Sequence, residues 1–307
     1  MRPLSAALAP ALLLLLVACG SGGRAPLPPP GAPPPQPAAP EAEPLSEFAD
    51  LLLLPGRRTM IRYSPDTLDR ATQMQRRLEA IAETLEKVQG GPLLLSGLVI
   101  DREAWTKLRP GGPYGLPART GTLVFAIAAE PDPESVRIVR GLTGGWLPPL
   151  GGEPLRGTAD EASSLAVADA LLELDVASAF LDSHGVRGSE PWVEALLAQL
   201  VARVAWQVSD PGNVPAIADL YDRMAAAAPG PRPASLADYR RGLPRERDLA
   251  WQSTFLRGAD AIWVDKGDYG CRRWLKKVVR IGAPVARAEL EKEFPALVEW
   301  ERASFAR

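Results

Sequence analysis

Histidine is almost absent from this 307-residue chain, where His184 stands alone. A catalytic zinc centre held by two imidazoles and a carboxylate therefore cannot be assembled from one copy of it. Cysteine is nearly as scarce, with only Cys19 and Cys271. If Cys19 is consumed by modification, Cys271 has no partner for an internal disulfide, and a lone cysteine of this kind is expected to be buried. Charge of one sign is not in excess. Lys and Arg number 35 and Asp and Glu 37, a balance that gives no footing for a nucleic-acid partner. No G-x-S-x-G elbow marks a serine hydrolase, and no repeat of 20–50 residues marks a solenoid. No cofactor is expected.

Proline, in contrast, is abundant, and its placement organises the N-terminus. Arg2 is the only charge before residue 24, and Leu4 to Val17 form an apolar run. That run is shorter than the ~20 residues of a membrane span and has the proportions of a signal sequence. It ends in Leu16-Val17-Ala18-Cys19-Gly20, which resembles the lipobox of bacterial lipoproteins. The resemblance implies a signal peptide over 1–18, diacylation of the Cys19 sulfur and acylation of the new amine. An ordinary secretory signal with an incidental cysteine explains less, because position, small neighbours and run length all agree. Several acyl chains, at ~0.8 kcal/mol per buried CH₂, would make the anchor permanent. Gly20, rather than Asp, resembles lipoproteins forwarded to the outer membrane of Gram-negative bacteria. From Gly20 to Pro44, ten of 25 residues are proline and the only charges are Arg24, Glu41 and Glu43. Such a segment prefers extended polyproline II, so 19–45 is read as a tether reaching up to roughly 75 Å at ~3.1 Å per residue.

Beyond the tether, the pattern predicts an α+β domain: a mixed sheet with helices over 46–150, then a mostly helical half over 151–307. Thr59 to Tyr63 reads as a strand. Ser64-Pro65-Asp66 is the expected start of a helix running to Gln89. Leu93 to Ile100 and Gly121 to Ala128 read as strands, Asp101 as the cap of a helix to Leu108, and Val136 to Val139 as a fourth strand. The later segments 159–182, 190–208, 213–227, 245–265, 268–281 and 294–304 read as helices.

Two of those helices carry acids in unexpected places. On a wheel of 159–182, Asp160, Glu161, Ser164, Asp175, Ser178 and Asp182 share a solvated face. Asp169 and Glu173 lie about 160° away, among Ala162, Ala166, Val176 and Phe180. On 190–208, Gln199, Arg203 and Gln207 form a polar stripe, while Glu194 points with Ala198, Val201 and Ala205. A carboxylate on an apolar face is paired, protonated or at work. The structural reading is a buried acid satisfied by arginine, backbone or water. The functional reading is a carboxylate pair, Glu173 with Glu194 or Asp169, hydrolysing a glycosidic bond of the cell wall. His184 follows Ser183 in a loop, a local adjacency without triad geometry.

The segment Leu171-Leu172-Glu173-Leu174-Asp175-Val176-Ala177-Ser178-Ala179-Phe180, followed by Gly185 and then Pro191-Trp192-Val193-Glu194-Ala195-Leu196-Leu197-Ala198, resembles the gluzincin metallopeptidases. The resemblance takes in the strand–helix–strand layout upstream, Trp251-Gln252-Ser253-Thr254-Phe255 to Gly267, and Phe294-Pro295 to Trp300. It spans roughly 59–304 as a pattern of elements. It implies that Glu173 occupies the general-base position and Glu194 approximately that of the third zinc ligand, about one residue closer than usual. Leu172 and Val176 stand where the family has its zinc histidines. The resemblance thus implies a degenerate peptidase fold without its metal, catalytically inactive and with a binding or scaffold role. The expected partners are the membrane through the lipid, and an envelope protein or the cell wall.

Arg272, Arg273, Lys276, Lys277 and Arg280 bring five positive charges into one short helix, interleaved with Trp274, Leu275, Val278 and Val279. As function, this is a face for anionic lipid or another acidic envelope surface. As packing, it is a solvated face beside a buried apolar stripe.

Overall fold

Leu51 to Leu54 is an apolar run, and most of it lies in strand β1 (Leu52–Pro55). It pairs antiparallel with β2 (Thr59–Tyr63). The computed structural model describes residues 48, 50–146, 158–209, 211–228, 234–241 and 243–305. The signal segment, Cys19 and the tether lie outside the described residues.

Helix α1 (Leu68–Gln89) returns the chain from β2 to β3 (Leu95–Ile100), which lies parallel to β2. The helix begins later than Ser64-Pro65-Asp66 suggested. Asp66 adopts φ +66°, and the Ser64 carbonyl accepts from both the backbone N–H and the hydroxyl of Thr67, so this segment closes as a turn. Its apolar positions Met74, Leu78, Ile81, Leu85 and Val88 follow the helical period, and all are buried. Helix α2 (Arg102–Leu108) is capped as its sequence predicts, the Asp101 side chain accepting from the Ala104 N–H. The short strand β4 (Ala118–Arg119) then runs antiparallel to β5 (Val124–Ala128), and β5 lies parallel to β3. The sheet order is β1-β2-β3-β5-β4.

The two faces of this sheet bury different sets. Ile61, Leu95, Val99, Phe125 and Ile127 turn toward α1 and the main core, whereas Leu98, Ile100, Ala126 and Ala128 pack with Trp105 and Tyr114. Gly97 leaves room on this face for its neighbours, since a Cβ there would meet Ile61 Cδ1 of β2 at 2.8 Å and Leu78 Cδ1 of α1 at 3.4 Å. The stretch Val136–Val139, read as a strand, is instead part of α3 (Pro133–Leu142). Asp132 and Ser135 form a reciprocal capping box with Pro133 in the first turn, and that local chemistry outweighs the β-branched run.

The second half is helical: α4 (Ala159–Ser183), α5 (Pro191–Ser209), α6 (Val214–Ala227), α7 (Arg245–Ile281), α8 (Arg287–Glu293) and α9 (Pro295–Phe305). Thr158 and Glu161 make a second capping box that starts α4. α7 breaks at Gly267, with φ 65° and ψ 177°. These are the two helices expected over 245–265 and 268–281, joined through a conformation open to glycine. α5 lies at the centre, packed on α1, α4 and α7. One apolar core joins the sheet's main face to all these helices, from Ile61 to Trp300, with Trp192, Trp206 and Phe180 fully enclosed. Together these elements are the α+β arrangement predicted, a mixed sheet with helices followed by a helical half. No helix among the described residues is long and apolar enough to cross a membrane.

Candidate functional site: the acids of α4 and α5

Asp169 and Glu173 are one turn apart on α4, and both are buried. The side chains that meet them come from α1. Arg70 grips Asp169 with two bonds, Nη1 to Oδ2 at 2.9 Å and Nη2 to Oδ1 at 2.5 Å. Its remaining hydrogens reach Gln73 Oε1 at 2.7 Å and, at the limit of bonding, the Ala128 carbonyl at 3.5 Å. Arg77, two turns further along α1, donates from Nε to Glu173 Oε1 at 2.6 Å and places Nη1 3.8 Å from Asp169. Ser209, the last residue of α5, adds its hydroxyl at 3.2–3.3 Å from both oxygens of Glu173. The result is a buried layer of two guanidinium groups against two carboxylates, with the Glu173 side chain 0% exposed.

That geometry defines what the layer can do. The two charges of each sign offset one another, which makes burial tolerable. A bidentate guanidinium occupies the directions from which a carboxylate would accept a substrate proton. Removing one partner leaves the other as a poorly compensated buried charge, typically a loss of about 3–5 kcal/mol. Arg70 and Arg77 escaped the sequence reading, although the signal was present. Arg70 lies four residues before Met74 and Arg77 four before Ile81, the spacing that puts them beside the buried stripe of α1.

Glu194 does not join this layer. It lies in the first turn of α5, half-buried, and pairs with Arg241 at 2.7 Å. Ser209 marks the opposite end of the same helix, 15 residues away or about 22 Å along the axis. Glu173, which touches Ser209, therefore cannot form with Glu194 the 5–10 Å pair that glycosidic hydrolysis requires. The pairing of Glu173 with Glu194 is corrected on that ground. The same separation removes Glu194 from any ligand set centred on Glu173. Leu172 and Val176 are packed into the core, at 1% and 0% exposure.

The polar stripe of α5 is not a solvated face. Gln199 Nε2 donates to Gln252 Oε1 at 3.0 Å, and Arg203 Nε donates to Asp260 at 2.7 Å while its guanidinium lies 4.4 Å from the Trp263 ring centre. These contacts make a polar seam with α7, because α5 is surrounded on all sides and has no face left for water. Next to the seam, Tyr239 donates to Asp248 at 2.7 Å and meets Trp251 and Phe255 edge-on. Burial and the Asp248 carboxylate push its phenol far above the ordinary range. Burial likewise lifts Tyr114 to about 12 as it donates to the Glu130 carbonyl at 2.9 Å. Both phenols are thus hydrogen-bond donors at neutral pH, not nucleophiles.

His184 caps the end of α4. Its Nδ1 lies 2.8 Å from the Phe180 carbonyl and 3.1 Å from Ser183 Oγ, and its ring sits 4.5 Å from that of Phe180. Among the described residues, no group of three or more His, Cys, Asp or Glu side chains could hold a metal ion. Cys271 is buried, with its thiol raised to about 11 by burial. Comparison with known proteins gives no significant match to any family model, curated protein or solved structure.

Proposed function

We propose that this chain is an envelope lipoprotein, held to a membrane through acylated Cys19, whose globular domain binds or scaffolds a partner and does not catalyse. The observation that carries the non-catalytic part is the enclosure of Glu173. The carboxylate with the best claim to act as a general base is buried and tied to Arg77 and Ser209. A base must reach a proton on substrate or water, and this one is committed to holding α4 against α1 and α5. In a degenerate-gluzincin reading, Leu172 and Val176 would stand at the zinc-histidine positions, and both are buried in the core. Glu194 falls outside that reading. The anchor rests on the Leu16–Gly20 sequence and the apolar run before it.

The anchor is tested by labelling cells with palmitate. The wild-type chain should incorporate label and run at its processed size, and Cys19→Ala should do neither. A processed, labelled Cys19→Ala chain would remove the lipid from the account. Hydrolysis of peptide or cell-wall glycan by the purified mature protein, abolished by Glu173→Gln, would remove the non-catalytic part.

A further inference from the structure

The C-terminal segment of α7, after the break at Gly267, buries Cys271, Trp274, Leu275, Val278 and Val279 against the core. Packing therefore accounts for its apolar residues, but not for what lies on its other side. At 100° per residue, Tyr269, Arg273, Lys276 and Arg280 fall within about 60° of one another. All four are exposed, and Tyr269 is 79% accessible. Val264, just before the break, is 85% accessible, and Ile281, the last residue of the helix, is 56% accessible.

The charges of this helix divide into two groups. Arg272 pairs with Asp268 one turn earlier, and Lys277 lies 3.6 Å from Glu289 of α8. Among the described residues, Arg273, Lys276 and Arg280 have no carboxylate at ion-pair distance. The Lys276 ammonium lies near Gly90, which caps the C-terminal end of α1. A chain with net charge −2 thus shows one stripe of three cations without a carboxylate partner, Lys276 lying beside the C-terminal end of α1, with the exposed Tyr269 at the start of the stripe. Solvated lysine and arginine need no such neighbour. A phospholipid surface uses both kinds of group, phosphates for the cations and the interfacial zone for the ring of tyrosine.

From this we infer that the stripe Tyr269–Arg273–Lys276–Arg280 is a docking face for the headgroups of an anionic phospholipid bilayer. Each basic side chain near such a surface contributes about fivefold in affinity at low salt. The inference stands on α7 alone and does not depend on acylation of Cys19, so either can fail without the other.

The test uses the full chain carrying Cys19→Ser, so that no lipid anchor contributes, with Tyr269→Trp as a reporter at the face itself. Vesicles of brominated phosphatidylglycerol and phosphatidylcholine should quench the tryptophan emission added by residue 269, and vesicles of brominated phosphatidylcholine alone should not. Raising the salt concentration should reverse the quenching. Replacing Arg273, Lys276 and Arg280 by glutamine in the same chain should weaken the phosphatidylglycerol-dependent component by about a hundredfold. These side chains are exposed, so the melting temperature should not move. Absence of quenching by anionic vesicles would overturn the inference, as would quenching that survives the three glutamines. So would salt-sensitive retention on immobilised polyglutamate without vesicle quenching, which would assign the stripe to an acidic protein.

Discussion

Asp169 and Glu173 differ from ordinary helix acids because of two arginines that come from another element. The helical wheel marked the acids as buried, and the structure supplies the reason they are tolerated there: Arg70 and Arg77 on α1, 96–99 residues away in sequence. The spacing of Arg70 and Arg77 puts them beside the buried stripe of α1, but nothing local says which acids they meet 96–99 residues away. Cys271 was the easier case. A lone cysteine was expected to be buried, and Cys271 lies fully buried in the main apolar core. Its thiol should resist iodoacetamide in the native protein at pH 8 and react fully once urea unfolds the chain. Rapid native alkylation would contradict the burial. Because the folded thiol titrates near 11 and not at its ordinary 9.0, it favours the folded state below pH 9 and loses that contribution as pH rises through 11. Cys271→Ala should flatten that part of the alkaline stability profile.

Local punctuation was legible at some element ends and not at others: the Asp101 cap of α2 was read, whereas the Asp132–Ser135 capping box of α3 was hidden in the sequence by its β-branched run. Asp101 capping α2 and the break at Gly267 in α7 are local chemistry, visible in a few residues. β1 and the two-residue β4 exist through their neighbours in the sheet, and nothing in either segment alone requires a strand. The polar stripe read on α5 is real, and tertiary packing decides what it meets. A central helix has no solvent face, so its polar stripe became a seam with α7 instead of a surface. The geometry of α4 and α5 also decides what restoring histidines at the two positions should achieve. Leu172→His with Val176→His should bind no zinc after dialysis, by elemental analysis, because Glu194 lies at the far end of α5. The pair should destabilise the domain by about 2–5 kcal/mol through polar groups buried in the core. One retained equivalent of zinc would show that Glu194, or another acid, reaches the site.

For the molecule as a whole, α1 is bound to the helical half by charge as well as by apolar contact, and the buried ionic layer is where the two stretches of sequence meet. A layer of this kind contributes to stability only while it is complete. A carboxylate kept for chemistry behaves in the opposite way, since removing it commonly leaves stability unchanged or raises it. The measurement that separates these cases is urea unfolding of the full chain in a double-mutant cycle of Arg77→Met, Glu173→Leu and the pair together. Each single substitution should lower the unfolding free energy by about 3 kcal/mol, because the partner charge stays buried without its main counter-ion. The double variant should regain at least half of the summed loss, a coupling of roughly 3 kcal/mol. A Glu173→Leu chain as stable as the wild type or more so, with no coupling to Arg77, would contradict a structural role for Glu173 and return it to the list of catalytic residues.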